Sequence, residues 1–424
     1  MVNLPELRLR AAHPEANFTA DLPLLLARIY RQRGLQSELE VQDDLSGLLP
    51  FNGLKGIELA AELLAKAVMT QQQLMIIGDF DSDGATSTAL ALAALKQFGA
   101  QRVAYLIPNR FEFGYGLTPE IVAIAKERGA EFIITVDNGI SSHAGVKAAK
   151  AAGMQVLITD HHLAGKELPL ADAIVNPNQP GDTFPSKAIA GVGVIFYVLL
   201  ALRRTLQERG WFSAQNLPLP KIAQCLDLVA LGTIADVVPL DKNNRILVRQ
   251  GLQRIRAGQA RLGIKALLTI ARRSAQHLIA SDLSFAVAPR LNAAGRLEDM
   301  SLGVACLLSQ DPWEAQILAQ ELDRLNQERR LIEKEMLEQA ERSLLQLQLQ
   351  AETLPLGLCL YDPDWHQGVI GILAGRLKDR YHRPTIIFAE ANEQELKGSA
   401  RSVSGLHLRD TLDRIATACP GMLE

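Results

Sequence analysis

Three carboxylates at alternating positions, Asp79, Asp81 and Asp83, follow directly on the apolar run Leu74-Met-Ile-Ile-Gly. Acids grouped this closely repel one another unless a cation neutralises them, and an oxygen-rich donor set suits Mg2+ or Mn2+. The same spacing opens a calcium-binding EF-hand loop, but Leu90 stands where that loop needs its bidentate Glu, and a strand, not a helix, precedes. The pattern therefore points to a metal-binding loop at the end of a strand.

The elements that position this loop are legible around it. Leu74 to Ile77 has the composition of a strand buried on both faces, Gly78 and Gly84 bracket the acids as turn residues, and 85 to 98 reads as a helix. The rhythm continues with strands at Val103 to Ile107, Phe132 to Val136, Val156 to Thr159 and Ala173 to Val175, and helices at 119 to 128 and 143 to 152. Such alternation predicts an α/β fold with a doubly wound parallel sheet, whose ligands bind outside the strand carboxyl ends. Two more strands deliver polar residues at that same edge. One runs into Asp137-Asn138-Gly139 and another into Asp160-His161-His162. A lone Asp after a strand is usually a cap and a lone His a satisfied core residue, but three such ends on neighbouring parallel strands converge on one site. Imidazole nitrogen makes Mn2+ as suitable as Mg2+.

Farther on, Asp236 lies in an apolar run where an unpaired carboxylate is costly, so a cation or donors must meet it; Asp227 reads as a buried cap or acceptor. Between Lys242 and Arg296 there are eleven basic residues and one acid, a local excess suited to a polyanion although the net charge is −3. Within it, Pro289 to Arg296 reads as a small-residue turn projecting Arg290, Asn292 and Arg296 into a cleft. Residues 311 to 349 carry apolar residues at helical spacing, predicting one long helix able to bridge domains. Strand-like runs return at Leu356 to Leu360 and Pro384 to Phe388, and Lys397-Gly-Ser-Ala-Arg-Ser reads as a loop that closes on a phosphate through Ser399 and Arg401.

At 424 residues and 48% hydrophobic content the chain exceeds one ordinary core. The expected organisation is an N-terminal extension (1–50, with a helix at Leu24 to Arg33), a catalytic domain (51–310), a connector helix (311–350) and a smaller α/β domain (351–424). The four cysteines lack paired spacing and no apolar run reaches 18 residues; with no signal pattern at Met-Val-Asn-Leu-Pro-Glu-Leu-Arg, a cytoplasmic protein with no membrane partner is expected.

These residues resemble the DHH phosphoesterase superfamily, named for Asp160-His161-His162, and within it the RecJ-type family of single-strand-specific 5′-to-3′ DNA exonucleases. The resemblance covers essentially the whole chain. It rests on Gly-Asp-Phe-Asp-Ser-Asp-Gly, 108 to 117, Thr-Val-Asp-Asn-Gly, 230 to 236, 288 to 296 and Trp-His-Gln-Gly-Val-Ile-Gly. It implies a DHH domain joined by the long helix to a DHH-associated domain, and two Mn2+ or Mg2+ ions. Asp79 and Asp81 would hold one ion, Asp83, His161 and Asp236 the other, and Asp137 would bridge them. His162 would donate to the phosphate or support the ligands, and Asp160 would orient the histidines. Arg110, Ser399 and Arg401 would hold a terminal 5′-phosphate, with Arg290, Asn292, Arg296 and His366 along the strand. The resemblance further implies hydrolysis of single-stranded DNA to 5′-mononucleotides in repair and recombination at the nucleoid, with a single-strand-binding protein and a helicase as partners. The alternative within the superfamily is a phosphodiesterase of short oligonucleotides or cyclic dinucleotides. Ala400 replaces the family's glycine, a change expected to tighten the phosphate loop. The family's Gly-Gly-His segment and OB-fold do not appear before Glu424, so the DHH-associated domain is expected to be incomplete at its C-terminus.

Overall fold

Leu74–Ile77 (β1) is buried along its whole length and pairs in parallel on both sides, with Val103–Leu106 (β2) and with Phe132–Val136 (β3). In the computed structural model of the chain, which describes residues 11, 17–18, 22–41, 44–350, 354–391 and 395–419, Gln155–Thr159 (β4) and Ala173–Val175 (β5) complete a parallel sheet of order β2-β1-β3-β4-β5. Much of the expected N-terminal extension and the last five residues lie outside the described residues.

Alternation along each strand divides the core. Leu74, Ile76, Phe132 and Ile134 pack under Ile57–Met69 (α2), Ser82–Gln97 (α3) and Gly191–Glu208 (α6). Met75, Ile77, Ile133 and Val156 face the opposite layer, formed by Pro119–Glu127 (α4) and His143–Ala151 (α5). Helices on both faces leave only the strand ends open to a ligand. Chain order reverses between β1 and β3, and at that switch point the two connections diverge and open a crevice.

A helical block closes the crevice from one side: Trp211–Ala214 (α7), Leu226–Ala235 (α8), Lys242–Arg256 (α9), Leu262–Ile270 (α10), Ala280–Asp282 (α11), Ala288–Leu297 (α12) and Ser301–Leu308 (α13). The expected turn at 289 to 296 is instead α12. Pro289 sits in its first turn, where the missing N–H costs nothing, and the glycine inside it has a packing reason: a Cβ on Gly295 would lie 1.8 Å from the Phe80 carbonyl. The expected N-terminal helix is Leu24–Gln32 (α1), entered after Pro23.

Pro312–Gln350 (α14) is the long helix foreseen from the sequence, about 58 Å at ~1.5 Å per residue. It belongs to two cores. Leu322 and Leu325 are buried in the main one, whereas Met336, Ala340 and Leu344 pack with Leu358–Tyr361 (β6), Ile370–Tyr381 (α15) and Thr385–Glu390 (β7). The helix therefore fixes the second unit over the sheet edge through packing, not through a free linker.

The expected phosphate loop at 397 to 402 is an edge strand, Leu396–Arg401 (β8), antiparallel to β7. Gly398 lies opposite Phe388, whose ring fills the place of the absent side chain; a Cβ there would stand 2.7 Å from Phe388 Cε1. A last helix, Leu408–Ala418 (α16), follows. The four cysteines are free, and no described helix is long and apolar enough to cross a membrane.

Because Gly295 lets α12 press against the acidic loop, Gly295→Ala is expected to destabilise the protein by about 1 to 3 kcal/mol through overpacking. Urea unfolding reads this; an unchanged midpoint contradicts the close approach.

Candidate active site

Asp79 leaves β1 almost wholly buried, and its Oδ1 has no hydrogen-bond partner among the described residues. Asp81 caps α3: its Oδ1 accepts from the amides of Asp83 (2.9 Å) and Gly84 (3.0 Å). Asp83, in the first turn of α3, is buried and accepts from the amides of Gly191 (2.7 Å) and Val192 (3.0 Å) at the start of α6. The positive end of that helix meets a buried anion, the arrangement a helix N-terminus favours.

Asp137 follows β3 with φ of 63°, a left-handed conformation strained for any residue but glycine. Its amide donates to the Thr159 carbonyl at 3.0 Å, and Asn138 Nδ2 donates to the carbonyls of Ile77 (3.0 Å) and Val136 (2.9 Å), tying the ends of β1 and β3 together. Gly191 makes room for the carboxylate, since a Cβ there would stand 2.5 Å from Asp137 Oδ1. From the end of β4, His161 Nε2 lies 3.1 Å from Asp137 Oδ1, 3.5 Å from Asp236 Oδ2 and 3.9 Å from Asp83 Oδ2. Asp236 caps the C-terminus of α8, and the next residue, Val237, also has positive φ, 62°.

Asp160 faces away from this cluster. One oxygen accepts from the Ile140 amide (2.9 Å), the other from the amides of His161 (2.7 Å) and His162 (3.1 Å) and from His162 Nδ1 (2.7 Å). It holds both histidines in orientation. Burial alone would depress the His162 pKa, but the hydrogen bond and charge of Asp160 outweigh it and raise it to about 9. His161, buried and beside that cation, falls to about 4 and stays neutral at pH 7, as a ligand nitrogen must.

Ligand atoms gather in three groups, each within 4.8 Å: Asp79, Asp81 and Asp137; Asp83, His161 and Asp236; and Asp137, His161 and His162. Asp137 Oδ1 and His161 Nε2, like Asp79 Oδ1, are buried without a hydrogen-bonding partner among the described residues. Orphaned acceptors in this number are costly unless a cation meets them, and carboxylate oxygens with neutral imidazole form a donor set for Mg2+ or Mn2+. The residues present therefore fit divalent ions.

Opposite the acids stands a cationic wall from both units. The Arg110 guanidinium lies 4.2 Å from the Phe80 ring centroid, and Lys397 Nζ donates to the Arg110 carbonyl at 3.2 Å. Lys397, Ser399 and Arg401 alternate along β8 on one face. Burial, then the charges of Arg110, Arg329 and Arg401, bring the Arg296 pKa down to about 10, and Arg296 donates to the Gly368 carbonyl across the domain junction at 3.0 Å. His366 packs edge-on against Phe111 and accepts the Gly368 amide on Nδ1.

Two expected strand-lining residues are engaged elsewhere. Arg290 pairs with Asp323 of α14 at 2.8 Å and donates to the Ala286 carbonyl, because the α12 helix aims it at α14 and away from the cleft. Asn292 Oδ1 accepts from the Ser82 amide (2.7 Å) and hydroxyl (2.8 Å), bracing the acidic loop. Of the eleven basic residues in the expected polyanion track, four more have internal partners: Arg245 the Leu240 and Glu40 carbonyls, Arg256 the Leu278 carbonyl, Arg261 Asp227 and Cys225, and Arg273 Asp282. Asp227 is the buried acceptor foreseen, taking the Leu228 and Arg261 amides.

Sequence reasoning misses Tyr115, whose hydroxyl donates to the Asp137 carbonyl (3.2 Å) and meets His162 Nδ1 (3.3 Å). It also misses Gly191 and Val192, whose backbone amides carry no side-chain signal, and Lys397.

Burial, then neighbouring acids, raise the pKa of Asp79, Asp83 and Asp137 well above the carboxylate range and that of Asp236 to about 7. An acid with a raised folded-state pKa loses stability as pH rises from its unfolded value, about 3.9, because the unfolded chain releases its proton first. A cation removes this penalty by stabilising the ionised form. The Tm increment from saturating Mn2+ is therefore expected to grow from about pH 4 to about pH 7. A constant increment across that window, in thermal unfolding, contradicts the metal assignment.

Residues 73–233 match the profile of the DHH family, N-terminal domain, and 349–423 that of the DHHA1 domain. The single-stranded-DNA-specific exonuclease RecJ of Escherichia coli (strain K12) is 55% identical over 418 residues, which cover 99% of this chain and 72% of that protein. RecJ of Bacillus subtilis (strain 168) is 40% identical over 88% of this chain and 44% of that protein. Among solved structures, exonuclease RecJ bound to manganese superposes with a TM-score of 0.71 at 37% identity, covering 87% of this chain and 86% of that one. RecJ from Thermus thermophilus in complex with Mg2+ gives 0.68 at 32% identity, covering 92% of this chain and 51% of that one. With the acidic and histidine groups in place, and more than half of its residues shared with the E. coli relative over nearly its whole length, this chain belongs to the RecJ family of single-stranded-DNA-specific exonucleases.

Proposed function

We propose that the chain removes nucleotides from the 5′ end of single-stranded DNA, releasing 5′-mononucleotides, with Mn2+ or Mg2+ as its two divalent ions. The observation that carries this is the sharing of Asp137 between two of the three ligand groups at one sheet edge, directly opposite a cationic wall. That sharing joins Asp137 to Asp79 and Asp81 on one side and to His161 on the other, and His161 in turn groups with Asp83 and Asp236; it supports a reading in which Asp137 would be the bridging carboxylate, Asp79 and Asp81 would hold one ion and Asp83, His161 and Asp236 the other. Ions so held supply Lewis-acid stabilisation of the phosphoryl oxygens and a water acidic enough to attack at neutral pH.

The chain's own residues do the rest. His162, kept protonated by Asp160, donates to a phosphate oxygen as negative charge develops there. Asp160 positions both histidines and touches neither substrate nor ion. Arg110, Ser399 and Arg401 hold the terminal 5′-phosphate, a pocket complete only where β8 meets the catalytic sheet, so the end of the strand is measured from its phosphate to the scissile bond. Arg296, His366 and the Asn292 amide line the path beyond, while Arg290 braces α12 against α14. Repair and recombination follow as the setting, in the cytoplasm at the nucleoid, with a single-strand-binding protein and a helicase supplying the strand.

The test compares 5′-phosphorylated single strands, 5′-hydroxyl strands and blunt duplex. Single strands are digested from the 5′ end with added Mn2+ or Mg2+ and duplex far more slowly; equal rates on duplex overturn the reading. Charge-assisted contacts contribute about 1.5 to 3 kcal/mol, so Arg401→Ala is expected to slow the 5′-phosphorylated strand roughly ten- to a hundredfold and the 5′-hydroxyl strand much less. Equal slowing of both means that Arg401 grips the strand generally.

A further inference from the structure

The backbone that leads into α6 holds two members of one ligand group. Asn178 Nδ2 donates to the carbonyls of His161 (2.6 Å) and Lys187 (3.2 Å), which pins the loop carrying the histidines to residue 187. The Ile189 carbonyl meets the His161 imidazole. Gly191 and Val192 then give their amides to Asp83. Ala190, at the N-cap of α6, has no side chain to offer these amides, and the buried carboxylate takes its place. One short run, 187–192, therefore fixes both His161 and Asp83. The third member of the group, Asp236, comes from another element, the end of α8.

What holds Asp236 is not local. Val237, which follows it, has a left-handed φ of 62°, costly for a β-branched residue, and its side chain is 77% exposed. Strain persists only where the surroundings fix the chain, and a side chain in water fixes little. The restraint comes from the far end of the turn. There the Pro239 carbonyl accepts from the Asp241 amide (3.0 Å) and from Asn244 Nδ2 (2.9 Å). Asn244 is wholly buried in the first turn of α9, and Nδ2 also donates to the Ala188 carbonyl at 2.8 Å. Asp241 repeats the link, capping α9 through the Asn244 amide (2.9 Å) and accepting from the Ser186 hydroxyl (2.6 Å). Gly251 lets α9 lie against α8, since a Cβ there would stand 2.1 Å from the Leu226 carbonyl, so the start of α9 is a fixed reference. Asn244 Oδ1 has no partner among the described residues, a cost in a dry core, so the side chain is there for what it donates.

We infer that Asn244 is a positioning residue for the ion that Asp83, His161 and Asp236 would hold, clamping the Asp236 turn to the backbone run that carries the other two. This rests on the two-ion reading above and deepens it. Asn244 touches neither ion nor strand; it sets the separation of three donors that come from α3, the end of β4 and α8. Without Nδ2 the Pro239 end of the turn is released, the strain at Val237 relaxes, and Asp236 leaves the place the ion requires. The other group is fixed by different means, the α3 amides on Asp81 and the Asn138 bonds between β1 and β3, so its ion stays. Asn243 supplies a matched contrast. It is also buried, but its Oδ1 accepts from the Leu49 amide (3.1 Å) and the Tyr197 hydroxyl (2.8 Å) and ties no ligand-bearing turn.

The experiment titrates the metal-free full chain with Mn2+ by calorimetry, for the wild type, Asn244→Ala and Asn243→Ala, with Tm measured on each. The wild type is expected to bind two ions. Asn244→Ala is expected to keep one at wild-type affinity and to bind the other roughly ten- to a hundredfold more weakly, the range for a residue that supports a metal ligand. Asn243→Ala is expected to lower Tm as the loss of a buried amide does, yet to keep both ions. If Asn244→Ala does not fold, Asn244→Ser, which keeps a single donor, takes its place and is read in the same way. Two ions at wild-type affinity in the Asn244 variant, or the same weakening in the Asn243 variant, overturns this inference and leaves the two-ion reading standing. A wild type that takes up fewer than two ions overturns that reading itself.

Discussion

Mutual repulsion among buried carboxylates governs the rest of this structure. Asp79, Asp83 and Asp137 lie almost wholly out of water, with Asp236 and Asp81 beside them, and Asp79 Oδ1 and Asp137 Oδ1 find no donor among the described residues. In a medium of low dielectric such a group is tolerable only if cations meet it or its members take up protons. The surrounding architecture offsets part of the cost. The start of α6 gives two amides to Asp83, α3 uses Asp81 as its cap, and Asn292 braces Ser82. None of these contacts neutralises the cluster; they hold its geometry while leaving inward-facing oxygens open. The left-handed backbone at Asp137 belongs to the same balance, because strain persists only where neighbours overdetermine it, here the β1 and β3 ends tied by Asn138.

The second constraint is the sharing of α14 between two cores. A helix whose Leu322 is buried in one core and whose Met336 is buried in another fixes the distance between them, about 21 Å over fourteen residues at ~1.5 Å each. Arg290 on Asp323 and Arg376 on Glu333 brace that helix from either side. The cationic wall can face the acids only because this spacing holds β8 there. On the function proposed above, metal chemistry belongs to the sheet and strand recognition to the junction, and one helix relates them.

Much of this was legible in the sequence, for identifiable reasons. Apolar runs that stop at Asp or His reveal parallel strands and the edge where they end, so the convergence of Asp79, Asp81, Asp83, Asp137, His161 and His162 on one edge was legible from spacing, whereas their division into ligand sets came from the family resemblance. The long helix followed from periodicity without glycine. What was hidden depends on partners distant in sequence. Gly295 suggested a turn, because nothing local shows that Phe80 lies against it. The segment 396–401 lacks β-branched residues, and its pairing with Thr385–Glu390, with the Phe388 ring over Gly398, has no local signal. Arg290 looked free because Asp323 lies on another helix, and the basic stretch from Lys242 looked like a track partly because the acceptors of Arg245 and Arg256 are backbone carbonyls, invisible in composition. Tyr115 reaches Asp137 only through the path of its loop.

Titration of the metal-free protein with Mn2+ by calorimetry, for the wild type and Asp137→Ala, addresses the central claim most directly. If one buried carboxylate joins two ion sites, the wild type binds two ions per chain and Asp137→Ala loses both together, with its fold intact by circular dichroism. A wild type that takes up a single ion, or an Asp137→Ala protein that still binds one at wild-type affinity, contradicts a shared bridging carboxylate at the switch point of the sheet.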